Sequence, residues 1–380
     1  MTVSPDASSR AFVPPPLPPS LTWTPGLVRA LSDADRAVGR LAGEGARLPN
    51  PHLLIRPFVR REAVLSSRIE GTQATLGELL AVEAGASVER SPADLREVAN
   101  YVTALEYGIE RLETLPLSLR FLREVHARLM DGVRGGHATP GDFRSIQNWI
   151  GPPGSTLATA TYVPPSPNEM MEALGHLERF LHDASLPPLV QAALLHYQFE
   201  AIHPFLDGNG RVGRLLILLF LLDRGVLPVP LLYLSAYFEA NRAEYYGRLR
   251  GVTERGEWES WIEYFLTGVT RQSEDALARA ARINSLLDTW RRAVSGGSSA
   301  IPVALVDLLG ENPYWTVRGV ARRLNVAYTT AQRAIQRLEA ASVLTPLTDA
   351  KRNRIYCART ILEVLEEPAG LFAEKIGREG

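Results

Sequence analysis

The sequence has one cysteine, almost no net charge and no long apolar run, and each scarcity excludes a class of protein. The single cysteine, Cys357, excludes an intrachain disulfide and fits a reducing compartment. A formal charge of −1 gives no overall attraction to nucleic acid or anionic membranes, so such a partner needs a local basic patch. The longest apolar run, Leu215 to Leu222, is too short to span a bilayer, and the N-terminus lacks the features of a secretory signal. We therefore expect a cytoplasmic chain with no membrane insertion.

Helical patterns dominate what is present. At 380 residues with 46% hydrophobic content, the chain can bury sizeable cores and is expected to hold two or three domains. Apolar residues recur at helical spacing along most of its length. The exception is a pair of extended segments near 146–151 and 160–165, separated by Pro152-Pro153-Gly154-Ser155-Thr156. This pattern predicts a β-hairpin in a mainly α protein.

The stretch from His203 to Arg214 has the residue types of a phosphate site. Pro204 ends one predicted helix, a turn rich in Gly and Asn follows, and a second helix is expected from about Arg211. Backbone N–H groups at a helix start lack intrahelical partners and favour anions. Arg211 and Arg214 lie three residues apart, so both can reach what the turn holds. Asp207 is a hard oxygen ligand suited to Mg²⁺, and His203 can take a proton near neutral pH.

Taken singly, His203 can be a helix-end histidine and Gly-Asn-Gly an ordinary turn. Together, the residues resemble the Fic family motif His-Pro-Phe-x-(Asp/Glu)-Gly-Asn-Gly-Arg-x-x-Arg at every fixed position. The resemblance implies a protein adenylyltransferase that moves AMP from ATP to a Ser, Thr or Tyr hydroxyl of a target protein or of itself. It implies that His203 is the catalytic base and that Asp207 holds Mg²⁺. The implied ATP-binding residues are Gly208, Asn209, Gly210, Arg211, Val212, Gly213, Arg214 and Tyr246.

A second segment resembles the inhibitory motif (Ser/Thr)-x-x-x-Glu-(Gly/Asn) of many Fic proteins, here Ser66, Glu70 and Gly71. The resemblance implies that Glu70 pairs with Arg214 and takes that guanidinium away from the γ-phosphate. Local signals alone also allow a solvated glutamate after a helix that ends at a C′ glycine. They equally allow a capping box in which Ser67 and Glu70 open a new helix.

The predicted hairpin, the tyrosines at 245 and 246, and His196 each allow more than one interpretation. In Fic proteins the corresponding flap holds the target's modifiable residue, which would give Thr161, Tyr162 and Val163 a docking role. A hairpin that only packs on the helices is the alternative. Tyr246, with Tyr245 second, is a candidate adenine contact or a core residue. His196 precedes His203 by seven residues, a doubtful spacing for zinc, and is expected to be a core or supporting histidine.

The C-terminal part resembles a winged helix, with helices at 316–324 and 328–341 and a wing at 343–357 tipped by Lys351-Arg352-Asn353-Arg354. DNA contact and protein contact both stay open, as does a homodimer. The predicted fold is therefore mainly α, a Fic helical core with a β-hairpin flap and a C-terminal winged helix-turn-helix domain. The expected division is a flexible Pro-rich lead-in at 1–20, an N-terminal helical region at 21–115, a catalytic domain at 116–270, a helical connector and linker at 271–299, and a winged helix at 300–380.

Two other functions use the same features. One is transfer from a different donor, such as UTP or CDP-choline, or phosphorylation from ATP bound in the reverse sense. The other is a transcription regulator whose Fic core only senses nucleotide. An intact His203 argues against the second, because a sensor needs no base.

Overall fold

A computed structural model describes residues 11–47, 51–86, 88, 92–133, 139–296, 299–347 and 354–368. Within these ranges the chain is mainly helical, with three short strands. The helices are α1 (Pro25–Arg47), α2 (Pro51–Ile69), α3 (Leu76–Glu83), α4 (Pro92–Arg111), α5 (Leu119–Leu129), α6 (Pro167–Leu181), α7 (Pro188–Ile202), α8 (Asn209–Asp223), α9 (Ser235–Ala240), α10 (Arg242–Arg255), α11 (Trp258–Val294), α12 (Ile301–Glu311), α13 (Val317–Arg323), α14 (Tyr328–Ala340) and α15 (Arg359–Glu366). The strands are β1 (Tyr314–Thr316), β2 (Thr345–Pro346) and β3 (Ile355–Cys357). None of the described helices combines the length and apolar character needed to cross a bilayer.

The chain divides into two compact units, which we describe separately. Unit 1 comprises Met1–Gly39, Asn100–Pro228 and Tyr237–Thr270, and it contains the turn at 203–208. Unit 2 comprises Arg40–Ala99, Val229–Ala236 and Arg271–Gly380, and it contains the segment with Ser66, Glu70 and Gly71. The five-part division expected from the sequence stays a prediction.

Unit 1 is built on the antiparallel pair α7 and α8. Helix α7 is apolar on every side and almost wholly buried, as expected for a helix that runs through a core. Trp261 of α11 is fully buried and donates its indole N–H to the Ala193 carbonyl at 2.9 Å. At Gly213 the two helices approach so closely that an added Cβ would lie 2.5 Å from Glu200 Oε1 and 3.2 Å from Phe199 Cδ1. These contacts fix the start of α8 relative to the end of α7.

The predicted β-hairpin is reduced to one antiparallel bridge between Ile150 and Tyr162. Ile150 donates its N–H to the Tyr162 carbonyl at 2.8 Å, and its own carbonyl accepts from the N–H groups of Thr161 and Tyr162. Prolines at 152, 153, 164 and 165 remove ladder donors on both sides of the bridge, so regular strands do not extend.

Part of the lead-in is held against unit 1. Phe12 donates its N–H to the Val163 carbonyl at 2.9 Å, and Gln198 Nε2 donates to the Pro15 carbonyl at 2.9 Å. Residues 11–20 therefore make specific contacts where a loose segment was expected. Residues 1–10 lie outside the described ranges.

In unit 2, helix α2 ends at Ile69, and Gly71 adopts φ +102°, the conformation predicted for a C′ glycine. The next helix, α3, begins at Leu76 with a capping box of its own. Glu78 donates its N–H to Thr75 Oγ1 at 3.1 Å, and Thr75 donates its N–H to Glu78 Oε2 at 2.8 Å. The alternative in which Ser67 and Glu70 open a new helix is therefore wrong.

The C-terminal module, residues 299–368 within the described ranges, contains α12 to α15 and a three-stranded antiparallel sheet of order β1-β3-β2. The helix pair and the wing strands occur in the predicted order, and wing residues 351–353 lie outside the description. Before this module, the sequence changes from apolar to charged residues near 271, where the catalytic domain is predicted to meet the helical connector, yet α11 continues without a break to Val294. No proline interrupts it, and its interior glycine, Gly268, is tolerated.

Candidate active site

The turn between α7 and α8 carries the motif, and its backbone is unusual at both ends. His203 ends α7 in the left-handed conformation, with φ 50° and ψ 59°, and donates its N–H to the Phe199 carbonyl at 3.0 Å. Gly208 precedes α8 with φ 78°. A left-handed histidine is uncommon and persists only where its neighbours hold it.

Arg144 provides that support. Its guanidinium Nε donates to the His203 carbonyl at 3.0 Å, and its backbone N–H donates to the Pro204 carbonyl at 2.9 Å. A third bond runs from its Nη2 to the Pro165 carbonyl. The side chain is only 2% exposed, and burial lowers the pKa of Arg144 to about 10. The sequence predicted a loop here and gave Arg144 no role, because its partners are carbonyls from distant segments.

The side chain of Asn209 stabilises the middle of the turn through hydrogen bonds. Its side-chain Oδ1 accepts the Phe205 N–H at 2.8 Å, and its Nδ2 donates to the Phe205 carbonyl at 2.9 Å. Asn148 Nδ2 donates to the same carbonyl at 3.0 Å. The amide of Asn209 is thus occupied within the protein, so what it offers an anion is its backbone N–H.

His126 braces the turn from α5. Its ring stacks on Phe205 with centroids 3.7 Å apart and planes 5° from parallel. The Gly141 N–H donates to Nδ1 at 2.9 Å, so Nδ1 is unprotonated and Nε2 donates to the Asp207 carbonyl at 3.1 Å. Burial lowers the pKa of His126 to about 4, in agreement with this neutral tautomer. Its position on the buried face of α5, next to Val125, is the sequence signal that could have identified it.

Gly208 has no room for a side chain. An added Cβ would lie 2.9 Å from Met130 Sδ and 3.5 Å from His126 Nε2. Together with the positive φ, this contact explains why the motif requires glycine at this position.

The first turn of α8 concentrates positive charge. Arg211 and Arg214 are both 4% exposed. The first bond that α8 closes is from the Val212 N–H to the Gly208 carbonyl at 3.0 Å, which leaves the N–H groups of Asn209 and Gly210 without an intrahelical acceptor. Buried guanidinium groups beside a helix N-terminus form a site for a multiply charged anion.

Asp207 and His203 complete the constellation. Asp207 Oδ1 accepts the Gly208 N–H and lies 3.4 Å from Arg211 Nη2, while 58% of the side chain is exposed. The described residues contain no cluster of three potential metal-ligating side chains, so a cation at Asp207 would share its coordination with ligand phosphates and water. His203 is half-buried, and its Nδ1 lies inside the protein.

Of the other candidate residues, His196 and Tyr245 lie in the protein core, whereas Tyr246 lies at the surface. His196 donates from Nδ1 to the Gly213 carbonyl at 3.1 Å and accepts the Tyr245 hydroxyl at Nε2 at 2.8 Å. Both ring nitrogens are thus occupied, and burial lowers the pKa of His196 to about 3, so it is a neutral core residue. Tyr245 is buried in the same cluster, whereas Tyr246 is 39% exposed, with Arg242 Cζ 5.9 Å from its ring centroid. Tyr246 therefore stays the candidate base contact.

The flap residues are distributed differently from the prediction. Tyr162 donates its hydroxyl to the Ala201 carbonyl at 2.6 Å, Val163 is buried, and Thr161 is exposed. The apolar side chains that this segment exposes come from its first half, Ile146, Trp149 and Ile150. In unit 2, Ser66 is fully buried and Glu70 and Gly71 are exposed.

Two family models match this chain. The model described as Fic/DOC family N-terminal covers residues 28–110, and the model described as Fic/DOC family covers residues 116–221, including the whole of 203–214. The chain therefore contains a Fic/DOC family N-terminal domain followed by a Fic/DOC family domain.

Named relatives agree with this assignment. The chain is 33% identical over 170 residues to "Protein adenylyltransferase Fic" of Drosophila virilis, over 42% of this chain and 32% of that protein. It is 31% identical over 222 residues to "Protein adenylyltransferase fic-1" of Caenorhabditis elegans, over 56% of this chain and 39% of that protein. The matches thus span about a third of these relatives' lengths. A Fic family protein from Desulfovibrio desulfuricans G20 shares the Fic fold, with TM-score 0.59 and 21% identity over 90% of this chain and 98% of that one.

The two buried histidines of this Fic core make a testable contribution to acid sensitivity. Their folded-state pKa values, about 4 for His126 and about 3 for His196, lie below the ordinary value of 6.5. As pH falls below 6.5 the unfolded chain binds protons that the folded chain does not, so stability is lost on acidification. Each histidine should lower the free energy of unfolding by about 1.4 kcal/mol per pH unit between about pH 6 and pH 4.5.

Urea unfolding across this pH range tests the effect in His126→Gln, with the exposed His182→Gln as control. The free energy of unfolding of His126→Gln should fall less steeply on acidification than that of the wild type. The difference should be the contribution of one histidine, about 1.4 kcal/mol per pH unit. Equal dependence in both variants and wild type would contradict the burial of a neutral His126.

Proposed function

We propose that this chain is a protein adenylyltransferase that transfers AMP from ATP to a hydroxyl group of a protein. The observation that carries the proposal is the convergence of a half-buried histidine, an outward carboxylate and two buried arginines on one braced turn. The names of the Drosophila and Caenorhabditis relatives support the same activity.

The anion site suits the polyphosphate of ATP. Arg211 and Arg214 can neutralise the β- and γ-phosphates, and the backbone N–H groups of Asn209 and Gly210 can donate to phosphate oxygens. Because the guanidinium groups are largely removed from water, their attraction to phosphate is stronger than at an open surface.

Asp207 would hold Mg²⁺ through its exposed carboxylate oxygen. When bound, the ion would supply charge neutralisation between the phosphates. The fit rests on the Gly208 N–H, which orients the carboxylate, and on the 58% exposure of the side chain.

His203 is the proposed base. Its Nε2 takes the proton of the attacking hydroxyl, whose oxygen forms a bond to the α-phosphorus. The bond between that phosphorus and the α,β-bridging oxygen breaks, and pyrophosphate leaves. Arg144 fixes the His203 carbonyl and so limits where the imidazole can lie.

The flap is the proposed docking surface for the target. Its exposed Ile146, Trp149 and Ile150 offer apolar contact to an extended segment of the target. Thr161 is the predicted flap residue that stays exposed. This role rests on analogy with the family.

Replacing His203 tests the chemistry. His203→Ala should reduce transfer of label from α-labelled ATP to protein by at least about a hundredfold, the usual scale of general-base catalysis, while the thermal midpoint is kept. The exposed histidine variant His182→Ala is the control and should label normally.

The choice of labelled donor separates the proposal from its alternatives. Label from γ-labelled ATP, or from UTP or CDP-choline in place of ATP, would replace AMP transfer by another reaction. Wild-type labelling by His203→Ala would remove the histidine from the mechanism.

We also propose that Glu70 restrains the enzyme by pairing with Arg214. A carboxylate bidentate to that guanidinium would keep it from the γ-phosphate and leave ATP in an unproductive pose. The support is the family motif and the position of Glu70 directly after the end of α2.

Glu70→Gly should therefore raise protein labelling several-fold, because the clamp becomes available to ATP. Gln73→Gly, an exposed neighbour in the same turn region, controls for added backbone freedom. Equal labelling rates in the wild type and Glu70→Gly would show that Glu70 is not the restraint.

Other expectations stay predictions: DNA contact through the C-terminal module, a homodimer and a cytoplasmic location. The C-terminal module presents exposed Tyr328, Thr329 and Arg333 at the start of α14, which supports a surface for recognition.

A further inference from the structure

Unit 2 contains a cavity of about 840 Å³, and all of its lining residues belong to that unit. Its walls come from α2, the end of α3, the end of α12, β1 and α13, with the first residue of α14 and one residue of the wing. Its volume lies within the roughly 300–1,000 Å³ of small-molecule sites. Six arginines line it: Arg56, Arg60, Arg318, Arg322, Arg323 and Arg354.

Acidic partners offset only part of this charge. Two glutamates also line the cavity, which leaves a formal excess of four positive charges. Glu83 pairs with Arg60 at 3.1 Å. Glu311 pairs with Arg56 at 3.2 Å and with Arg323 at 3.0 Å. Both glutamates are therefore already engaged by arginines on the cavity wall.

Arg318 and Arg322 differ from these paired arginines. They lie four residues apart on one face of α13, both are exposed, and neither guanidinium group has a hydrogen bond or an ion pair among the described residues. Two guanidinium groups four residues apart on one helix face can each form paired hydrogen bonds to adjacent phosphate groups.

Aromatic side chains add a second kind of contact. Tyr328 is 50% exposed at the cavity. Trp315 is fixed by donation of its indole N–H to the Asn312 carbonyl at 2.7 Å, and its ring lies over Gly319, where an added Cβ would be 3.5 Å from Trp315 Cε3. Aromatic faces beside guanidinium groups suit a ligand that has a planar ring and a charged tail.

We propose that this cavity binds a nucleoside di- or triphosphate, with the phosphates on Arg318 and Arg322 and the base beside Tyr328. Of the exposed residues at the start of α14 that could enter a DNA groove, Tyr328 lines the cavity, whereas Thr329 and Arg333 do not. A concave site on the α13 side therefore favours a small ligand over a duplex. The site does not depend on the proposed transfer reaction.

Photolabelling of the full chain with 8-azido-ADP, followed by peptide mapping, tests the proposal. Label is expected on peptides that contain Trp315 to Tyr328, and ADP should suppress it far better than adenosine. Arg318→Ala combined with Arg322→Ala should reduce this label by about tenfold or more, since charge-assisted bonds are lost. The matched control, Arg40→Ala with Arg292→Ala, removes two exposed arginines outside the cavity and should label normally.

The conservative pair Arg318→Lys and Arg322→Lys keeps the charge and should show an intermediate loss of label. Circular dichroism checks that each variant is folded. Label on peptides from 203–214 reports the proposed active site separately, so failure of one site is distinguishable from failure of the other. No label on 315–328, or equal label there in both double alanine variants, would overturn the proposal. Suppression by a duplex oligonucleotide but not by ADP would also overturn it.

Discussion

The hydrogen bonds that brace residues 203–208 are the constraint on which the rest of the site depends. A left-handed histidine costs on the order of 1–3 kcal/mol. Net contributions are about 0.5–1.5 kcal/mol for a neutral hydrogen bond and about 1.5–3 for one to a charged group. The bond from Arg144 to the His203 carbonyl and the two bonds between Asn209 and Phe205 together contribute about 2.5–6 kcal/mol on these figures, which is comparable to that cost or larger. The strained conformation is therefore sustainable, and it orients the imidazole and the start of α8 together.

The positive charge around the turn comes from arginine side chains and not from the neighbouring histidines. His126 and His196 flank the helix start and are both neutral, because burial and the nearby arginines disfavour a further positive charge. Instead, both ring nitrogens of each histidine form hydrogen bonds. Those of His126 bond to Gly141 and Asp207, and those of His196 bond to Gly213 and Tyr245. The positive potential thus comes from Arg211, Arg214 and the helix terminus.

Much of the site could be predicted from sequence because its chemistry is local. The glycine turn, the helix that follows it and the C′ glycine at position 71 are encoded by neighbouring residues, and α8 begins within two residues of the expected position. The roles of Arg144, His126 and Asn148 could not be predicted, because each bonds to backbone groups from distant parts of the chain. Sequence shows a side chain's type but not which carbonyl will face it.

The fold departs from expectation where local signals compete. Alternation and turn residues predicted a hairpin, but the prolines beside it remove donors and leave a single bridge. A change from apolar to charged residues near 271 suggested an end to a helix, yet no breaker stands there and α11 continues. Composition marks where the environment of a helix changes, whereas Pro, Gly and caps mark where it stops.

The central claim is that phosphates bind at the first turn of α8. Backbone amide resonances of the isotope-labelled chain, followed during titration with Mg-ATP, test it most directly. Phosphate binding at this turn should give saturable shifts of the Asn209 and Gly210 amides, with smaller changes at the braced Phe205. Saturable binding that leaves both of these amides unshifted would contradict it.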